Sequence, residues 1–486
     1  AASVKVDGKS YSTKPFPVEV IAESDAQTQQ QHSVPSQQRT PESRIAKDDI
    51  LLRFKLSNTD VYKGESIRAS LVLYTRVNIE HLESVEVPSF DDFWSQEVTF
   101  DNAPQREEYN IYYKNILFPY SEDFDVKIDC AYGKNLGHCW RLDTFGEESV
   151  FPLRIRIYLY AELLADKTVN VHLTERTEKK ASLLCIGDSM TRGEEYVFQA
   201  AWKSENTDTV GTRQLRYASH EGRGGWRIQF YLENYWKDNS DVSPFLFPKN
   251  VAAKDYYGSY EFWQRVQETP NSYYTAGFTY QPIEEGMYTM KDGALCKFEN
   301  GEFTIVDENP EFEFNFEKYL EKNNFVRPDI VTFLFGANEL QMTAYEDSEA
   351  DIAAMIARYE TIIGYIKKDN TKIVINLPVC GADQYCWGTG CGCRGTVKQY
   401  DYNIKMLSKA IIEKYGNRED EGFFICPMLA VCDPYTGFAD TVTVDNMYTE
   451  HKNRHLNNWV HPNGNVGYKQ MGDALAGVVC RIKEDM

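Results

Sequence analysis

The chain has 486 residues, 42% of them hydrophobic, with a formal net charge of −21, so it is long enough for two to four domains with ordinary cores. A surface this acidic repels nucleic-acid phosphates and anionic membrane surfaces alike. No apolar run reaches the ~20 residues that span a bilayer.

Ala1, Ala2 and Ser3 lack the basic and apolar regions of a signal peptide, though small residues of this kind flank cleavage sites. The segment therefore neither requires nor excludes export. Val4 and Val6, then Phe16, Val18 and Val20, predict two strands around a turn at Asp7 and Gly8. Residues 22–47 hold six Gln, two Pro and almost nothing apolar, which predicts a flexible linker. Strand patterns resume at 50–56, 66–74, 97–100, 109–117, 124–130, 151–160 and 168–173. No helical period precedes residue 180, so 48–175 is expected to be an all-β, Ig-like sandwich region.

After residue 180 the pattern changes. Short apolar runs at 183–186, 331–335, 373–377 and 423–426 alternate with amphipathic helices at 349–368, 397–415 and 464–484. Ser348, with Asp351 three residues on, is expected to start the first helix, and Gly416 to stop the second. Buried strands alternating with helices predict an α/β fold, a parallel sheet covered on both faces. An insertion at about 235–325 is rich in Tyr256, Tyr257, Tyr260, Phe262, Trp263, Tyr273 and Tyr274, set among charged and amide side chains.

The eleven Cys are an odd number. Cys185 and Cys426 fall inside apolar runs and are expected to be buried thiols. Cys380, Cys386, Cys391 and Cys393 share a Gly-rich loop without a C-x-x-C pair. Free thiols or a loop disulfide fit that spacing better than a metal site.

The sequence LLCIGDSMT at 183–191 is a strand ending in Gly187, Asp188 and Ser189. A serine just past the C-terminal end of a strand sits in the ligand crevice of an open α/β sheet. No G-x-S-x-G elbow occurs anywhere. Taken alone, Gly-Asp-Ser is as well a helix cap or a turn. Three further blocks follow it: HEGRGGW at 220–226, GANE at 336–339 and NWVHPN at 458–463.

These four blocks, in this order, resemble those of the SGNH (GDSL-like) serine hydrolase family over about residues 180–486. The resemblance implies a flavodoxin-like three-layer fold and acyl transfer by a serine nucleophile. Ser189 would attack an ester carbonyl and His461 would carry its proton to the leaving alcohol. The backbone N–H groups of Ser189 and Gly222 and the side-chain amide of Asn338 would form the oxyanion hole. Glycine at 222 would leave room for substrate, and Arg223 and Trp226 are candidate substrate contacts, although a Trp there is more often a core residue. The family places Asp three residues before its His; here that position is Asn458, which offers a hydrogen bond without a charge. Glu339 stands where Asp is common, a change expected to be harmless. Residues 106–175 resemble the small sandwich that precedes some bacterial esterases of this type. Residues 48–105, with 1–20, resemble truncated Ig-like repeats of Bat-type oxygen-tolerance proteins.

The reading is a bacterial, envelope or secreted esterase that removes a small acyl group, most simply acetyl, from a carbohydrate or another small ester. It needs no cofactor, because nucleophile, base and oxyanion donors are all side chains or backbone. The N-terminal strands could serve surface attachment or self-association. A lipid or thioester hydrolase on the same groups is the rival enzyme, and a catalytically weak surface binding or structural protein is the rival from another class. Limited proteolysis should cut first within 22–47 and release a fully active esterase fragment; loss of activity on cutting would show that the N-terminal segment helps to build the site.

Overall fold

In a computed structural model the described residues are 108–143, 149–233, 242–269, 275, 277, 283–368, 370–389 and 396–486, with the backbone of short strands before residue 105. The chain divides into two units, Ala1–Ser95 and Gln96–Met486, a boundary that falls inside the expected 48–175 region.

In the first unit Ser3–Val6 pairs antiparallel with Lys9–Ser12, with Val6 opposite Lys9. The expected turn at Asp7 and Gly8, and Phe16 and Val18 of the expected second strand, lie outside the described residues. Glu19–Ile21 pairs parallel with Asp60–Tyr62, and Ile50–Leu56 pairs antiparallel with Ala69–Thr75. The expected linker 22–47 and the strand 97–100 lie outside the described residues.

The second unit opens with antiparallel strands Phe124–Asp129, Val150–Leu159 and Glu162–Thr174. A smaller sheet faces them, in which Tyr109–Tyr112 pairs with Cys139–Leu142. Phe151, Leu153, Val169, Val171, Ile111, Trp140 and Leu142 fill the space between. The strand expected over 109–117 stops at Tyr112 and becomes a helical turn, Tyr113–Ile116. Long-range bonds hold the turn: Asn115 Nδ2 donates to Cys432 O at 2.7 Å, and the buried Lys405 Nζ donates to Lys114 O and Leu117 O, each at 2.8 Å.

The central layer is the expected parallel sheet. Its strands are β1 (Ala181–Gly187), β2 (Thr207–Val210), β3 (Arg213–Gln214), β4 (Ser219–Gly222), β5 (Ile330–Leu334), β6 (Lys372–Asn376) and β7 (Phe423–Cys426). They lie in the order β3-β4-β1-β5-β6-β7, with β2 also on β1, and only β3 runs antiparallel to its neighbour. The strand order reverses at β1, where the chain leaves toward β4 on one side and β5 on the other.

The helices of this layer are α1 (Ser189–Arg192), α2 (Glu195–Ser204), α3 (Ala337–Leu340), α4 (Ser348–Ile366), α5 (Val397–Tyr415) and α6 (Gly467–Asp485). Strand residues alternate between two cores, as a period of two requires. Leu183 and Cys185 join Tyr196 and Val197 of α2 and Met471, Leu475 and Val479 of α6. Leu184 and Ile186 join Met355, Tyr359 and Ile362 of α4 and Ile404, Leu407 and Ile411 of α5. At ~1.5–3 kcal/mol for each buried aliphatic side chain, these two faces hold the sheet rigid beneath its C-terminal edge. Ser348 does not cap α4: it is the first helical residue, Asp347 takes the cap position, and Asp351 accepts from Thr343 Oγ1 at 2.7 Å instead.

The insertion's described aromatic residues are spent on packing: Phe245, Phe247, Tyr256, Phe316 and Tyr319 join the core that holds Leu184 and Ile186, and others pack on one another. Tyr256 and Phe262 are buried, Tyr257 stacks on Tyr288 with ring centroids 5.4 Å apart, and Tyr260 meets Phe303 edge-on at 4.4 Å. Tyr273 and Tyr274 lie outside the described residues. Among the elements not anticipated is a hairpin of Asp440–Val444 and Lys452–Leu456, whose return strand runs straight into Asn457 and the fourth block.

Candidate active site

β1 delivers its C-terminal end to the centre of the sheet, and α1 begins at once with Ser189. Asp188 is the N-cap, with Oδ1 accepting the Met190 N–H at 2.9 Å. Its side chain is fully buried, and burial pushes the carboxyl up to about 8, against the Met190 N–H and with help from Glu339. Burial thus favours the neutral form of the carboxyl beneath Ser189.

α1 sits directly on the end of β4. A Cβ at Gly222 would lie 2.2 Å from the backbone N of Arg192, inside any allowed contact. Glycine at 222 is thus demanded by the close approach of α1. Glu194, at φ +58, reaches back to accept the N–H groups of Leu215 at 2.8 Å and Tyr217 at 2.9 Å, tying the turn after α1 to the chain entering β4.

The fourth block meets the first. Ser189 Oγ lies 2.7 Å from His461 Nε2, and His461 Nδ1 lies 3.0 Å from Asn458 Oδ1. With the amide oxygen facing Nδ1, the ring proton sits there and Nε2 is left to accept from the serine, as a general base must. His461 also donates its backbone N–H to Asn458 O at 2.9 Å, and Asn458 adopts φ +61, a conformation Asn tolerates well. Among the described residues no carboxylate hydrogen-bonds His461. Burial, and then the charge of Arg192, hold its imidazole below the usual histidine pKa.

The loop carrying His461 is latched on both sides. Trp459 N–H donates to Cys386 Sγ at 3.1 Å, Ala382 N–H to Trp459 O at 2.8 Å, and Leu456 N–H to Asp383 Oδ2 at 2.6 Å. Beyond it, Asn463 Oδ1 accepts the N–H groups of Asn465 and Val466 and leads into α6.

The expected oxyanion donors are differently placed. Ser189 supplies an N–H from the first turn of α1, which has no intrahelical acceptor. Asn338, in α3, gives one amide hydrogen to Trp226 O at 2.9 Å and keeps a second. Gly222 N–H, however, donates to His220 Nδ1 at 3.0 Å. His220 is buried, and burial together with Arg213 and Arg223 drops its imidazole to about 3, so Nδ1 stays an acceptor across physiological pH. In this arrangement Gly222 is not offered to a substrate.

Arg223 and Trp226 do not face a ligand either. Arg223 is 1% exposed and its guanidinium pairs with Glu221 at 2.8 Å, while Trp226 is 5% exposed and packs on Tyr231. Glu221 also accepts from Tyr319 Oη at 2.7 Å and from Thr212 N–H at 2.6 Å, so the pair is an internal strut. The contacts made by Glu194, Glu221 and Tyr231 had no sequence signal, since each joins residues far apart in the chain or on a loop.

No family model and no curated protein matches the chain. Several solved structures resemble it, three of which follow. A gut microbial diltiazem-metabolizing enzyme has 13% identity over 52% of this chain, with a TM-score of 0.24. A protein of Agrobacterium tumefaciens str. C58 named as an arylesterase has 12% identity over 62%, with 0.30. A protein of Chitinophaga pinensis DSM 2588 named as a lipase has 9% identity over 62%, with 0.26. The chain spans 39% of the first and 99% and 98% of the other two. Likenesses this distant carry no weight for mechanism.

A base with a lowered pKa stays neutral, and so competent, to lower pH than a free imidazole. The acid limb of kcat/KM for ester cleavage should therefore have its midpoint below ~6.5, the free histidine value. Arg192→Gln, which removes the neighbouring cation, should move that midpoint upward. A midpoint unmoved by the substitution would show that Arg192 does not act on His461.

Proposed function

We propose that residues 180–486 form a serine ester hydrolase of the SGNH type. The observation that carries this reading is Ser189 Oγ, at the C-terminal end of the central strand, 2.7 Å from His461 Nε2. Ser189 Oγ attacks the acyl carbonyl as its proton passes to His461 Nε2. The tetrahedral oxyanion takes the Ser189 N–H and the second amide hydrogen of Asn338, and the Gly222 N–H joins them only if it leaves His220. Collapse expels the alcohol, which receives the proton from His461, and water repeats the sequence on the acyl-serine.

The substrate in this reading is an acylated carbohydrate with a small acyl group, acetyl before any other, in an envelope or secreted setting. Its remaining support is compositional: the mean hydropathy is −0.51, and a lipid-handling surface is usually more apolar. The insertion's described aromatic residues add little, because they pack on one another or join the core beneath the sheet. Activity measured on small acetyl esters, longer acyl chains and acetylated glycans separates the carbohydrate esterase from the lipid or thioester hydrolase. Ser189→Ala should lower kcat by at least ~10³ with the fold intact, and a phosphonate should label Ser189. Labelling at another residue would overturn the assignment.

Asn458 favours a second reading, a weak or silent enzyme acting as a binding protein. An imidazolium formed in the transition state has an amide oxygen beside it and no counter-charge. Asn458→Asp should raise kcat by about one to three orders of magnitude with KM little changed, and should move the acid limb toward higher pH, because a carboxylate favours the protonated ring. An already fast native enzyme, unmoved by this substitution, would show that the missing charge is not limiting. Inertness of both forms toward every ester would favour the binding protein.

A further inference from the structure

The third block does more than present Asn338. Its next residue, Glu339, places one carboxylate oxygen on the Ile228 N–H at 2.8 Å and the other on the Gly336 N–H at 3.0 Å. Asn338 donates to Trp226 O, two residues before Ile228. Adjacent side chains of the third block are therefore fastened to the same short stretch behind the second block. That stretch is in turn tied to the nucleophile strand: Trp226 N–H donates to Arg223 O at 3.2 Å, and Arg223 N–H to Gly187 O at 2.9 Å. Tyr231 Oη adds a contact to Gly187 O at 2.8 Å. A continuous run of hydrogen bonds thus leads from the residue two before Ser189 to the amide of Asn338.

We infer that Glu339 is a positioning residue that holds the Asn338 amide in register with Ser189, by closing the Gly336 turn with one oxygen and anchoring Ile228 with the other. The inference rests on the esterase reading, in which that amide receives the oxyanion. A carboxylate suits the task because both donors are backbone N–H groups and each needs its own acceptor oxygen. Glutamine supplies one oxygen and would set its NH₂ group against the other N–H. Aspartate is shorter by one C–C bond, about 1.5 Å, and cannot span both partners from the same backbone. Gly336, at φ +135, occupies a region that suits glycine, so the turn is committed to this closure.

The test uses the full chain, with a fluorophosphonate and a small acetyl ester as probes. Glu339→Gln and Glu339→Asp should each lower kcat and the rate of Ser189 labelling by about 10- to 100-fold, below the 10²–10³ lost with a whole oxyanion donor. KM should stay within about twofold. The deciding measurement is the same pair of substitutions in an Asn338→Ala background. If Glu339 acts through Asn338, the further loss there is less than about threefold. An equal loss in both backgrounds, or no loss in either, overturns the proposal. If one variant does not fold, judged by circular dichroism and thermal melting, the other carries the cycle. Absence of labelling at Ser189 in the native chain sinks the esterase reading itself, and with it the proposal. Labelling of the native chain that is indifferent to Glu339 sinks the proposal alone.

Discussion

The site depends on a close approach that leaves no space for one carbon atom. The first turn after β1 lies against the end of β4 so tightly that a Cβ at 222 would sit 2.2 Å from Arg192 N. That contact fixes where α1 starts, and so where Ser189 Oγ stands relative to the strand ends. His461 arrives from the other end of the domain and finds the hydroxyl at 2.7 Å only because β1, β4 and β5 keep their spacing. The two cores supply that rigidity. Leu183 and Cys185 face α2 and α6 while Leu184 and Ile186 face α4 and α5, so any shift of β1 disturbs packing on both sides.

The electrostatics around this point work in one direction. Burial favours the neutral form of Asp188, Asn458 carries no charge, and the charge that lowers the His461 imidazole pKa is the cation of Arg192. A Ser-His-Asp arrangement stabilises the imidazolium with a carboxylate; here burial and Arg192 both destabilise it. The same conditions make the neutral base available over a wider pH range and make the proton transfer to it harder. Rate and pH range are therefore traded against each other at one ring. The backbone N–H of Gly222, turned to a histidine that stays unprotonated, continues the pattern: the ground state is orderly and its donors are largely engaged.

The sheet was legible in the sequence because its strands are continuous apolar runs and its helices keep a 3.6-residue period. The runs at 183–186, 331–335, 373–377 and 423–426 each became a strand within a residue or two of those bounds. Of the block residues, Ser189, His461 and Asn458 lie in a chain, each within hydrogen-bond distance of the next, while Asn338 bonds Trp226 of the second block and Gly222 bonds His220. The misses share a cause. Tyr113–Ile116 looked extended because its helical turn is held by Asn115 and Lys405 reaching distant partners. Ser348 looked like a cap, but the Asp351 expected to complete it bonds Thr343. The 440–456 hairpin buries little beyond Leu456, and its return strand is polar up to that residue, so it shows no apolar run of the kind that marked the sheet. Side chains that bond backbone groups far along the chain, such as Glu194, Glu221 and Glu339, leave no periodic trace at all.

That last class matters most for the chemistry. Glu339 looked like a harmless lengthening of a common Asp when judged by its neighbours in sequence. In the fold its extra methylene lets one carboxylate serve Gly336 within its own turn and Ile228 on another loop. The position of Asn338 then depends on a segment more than a hundred residues earlier, which itself hangs from Gly187 beside the nucleophile. Catalytic geometry in such a domain is set by these cross-loop bonds as much as by the reacting groups. The bonds that register the blocks run mostly between block residues, with Ile228 and Tyr231 as partners outside them, so a change at either could alter the register while all four blocks stay intact.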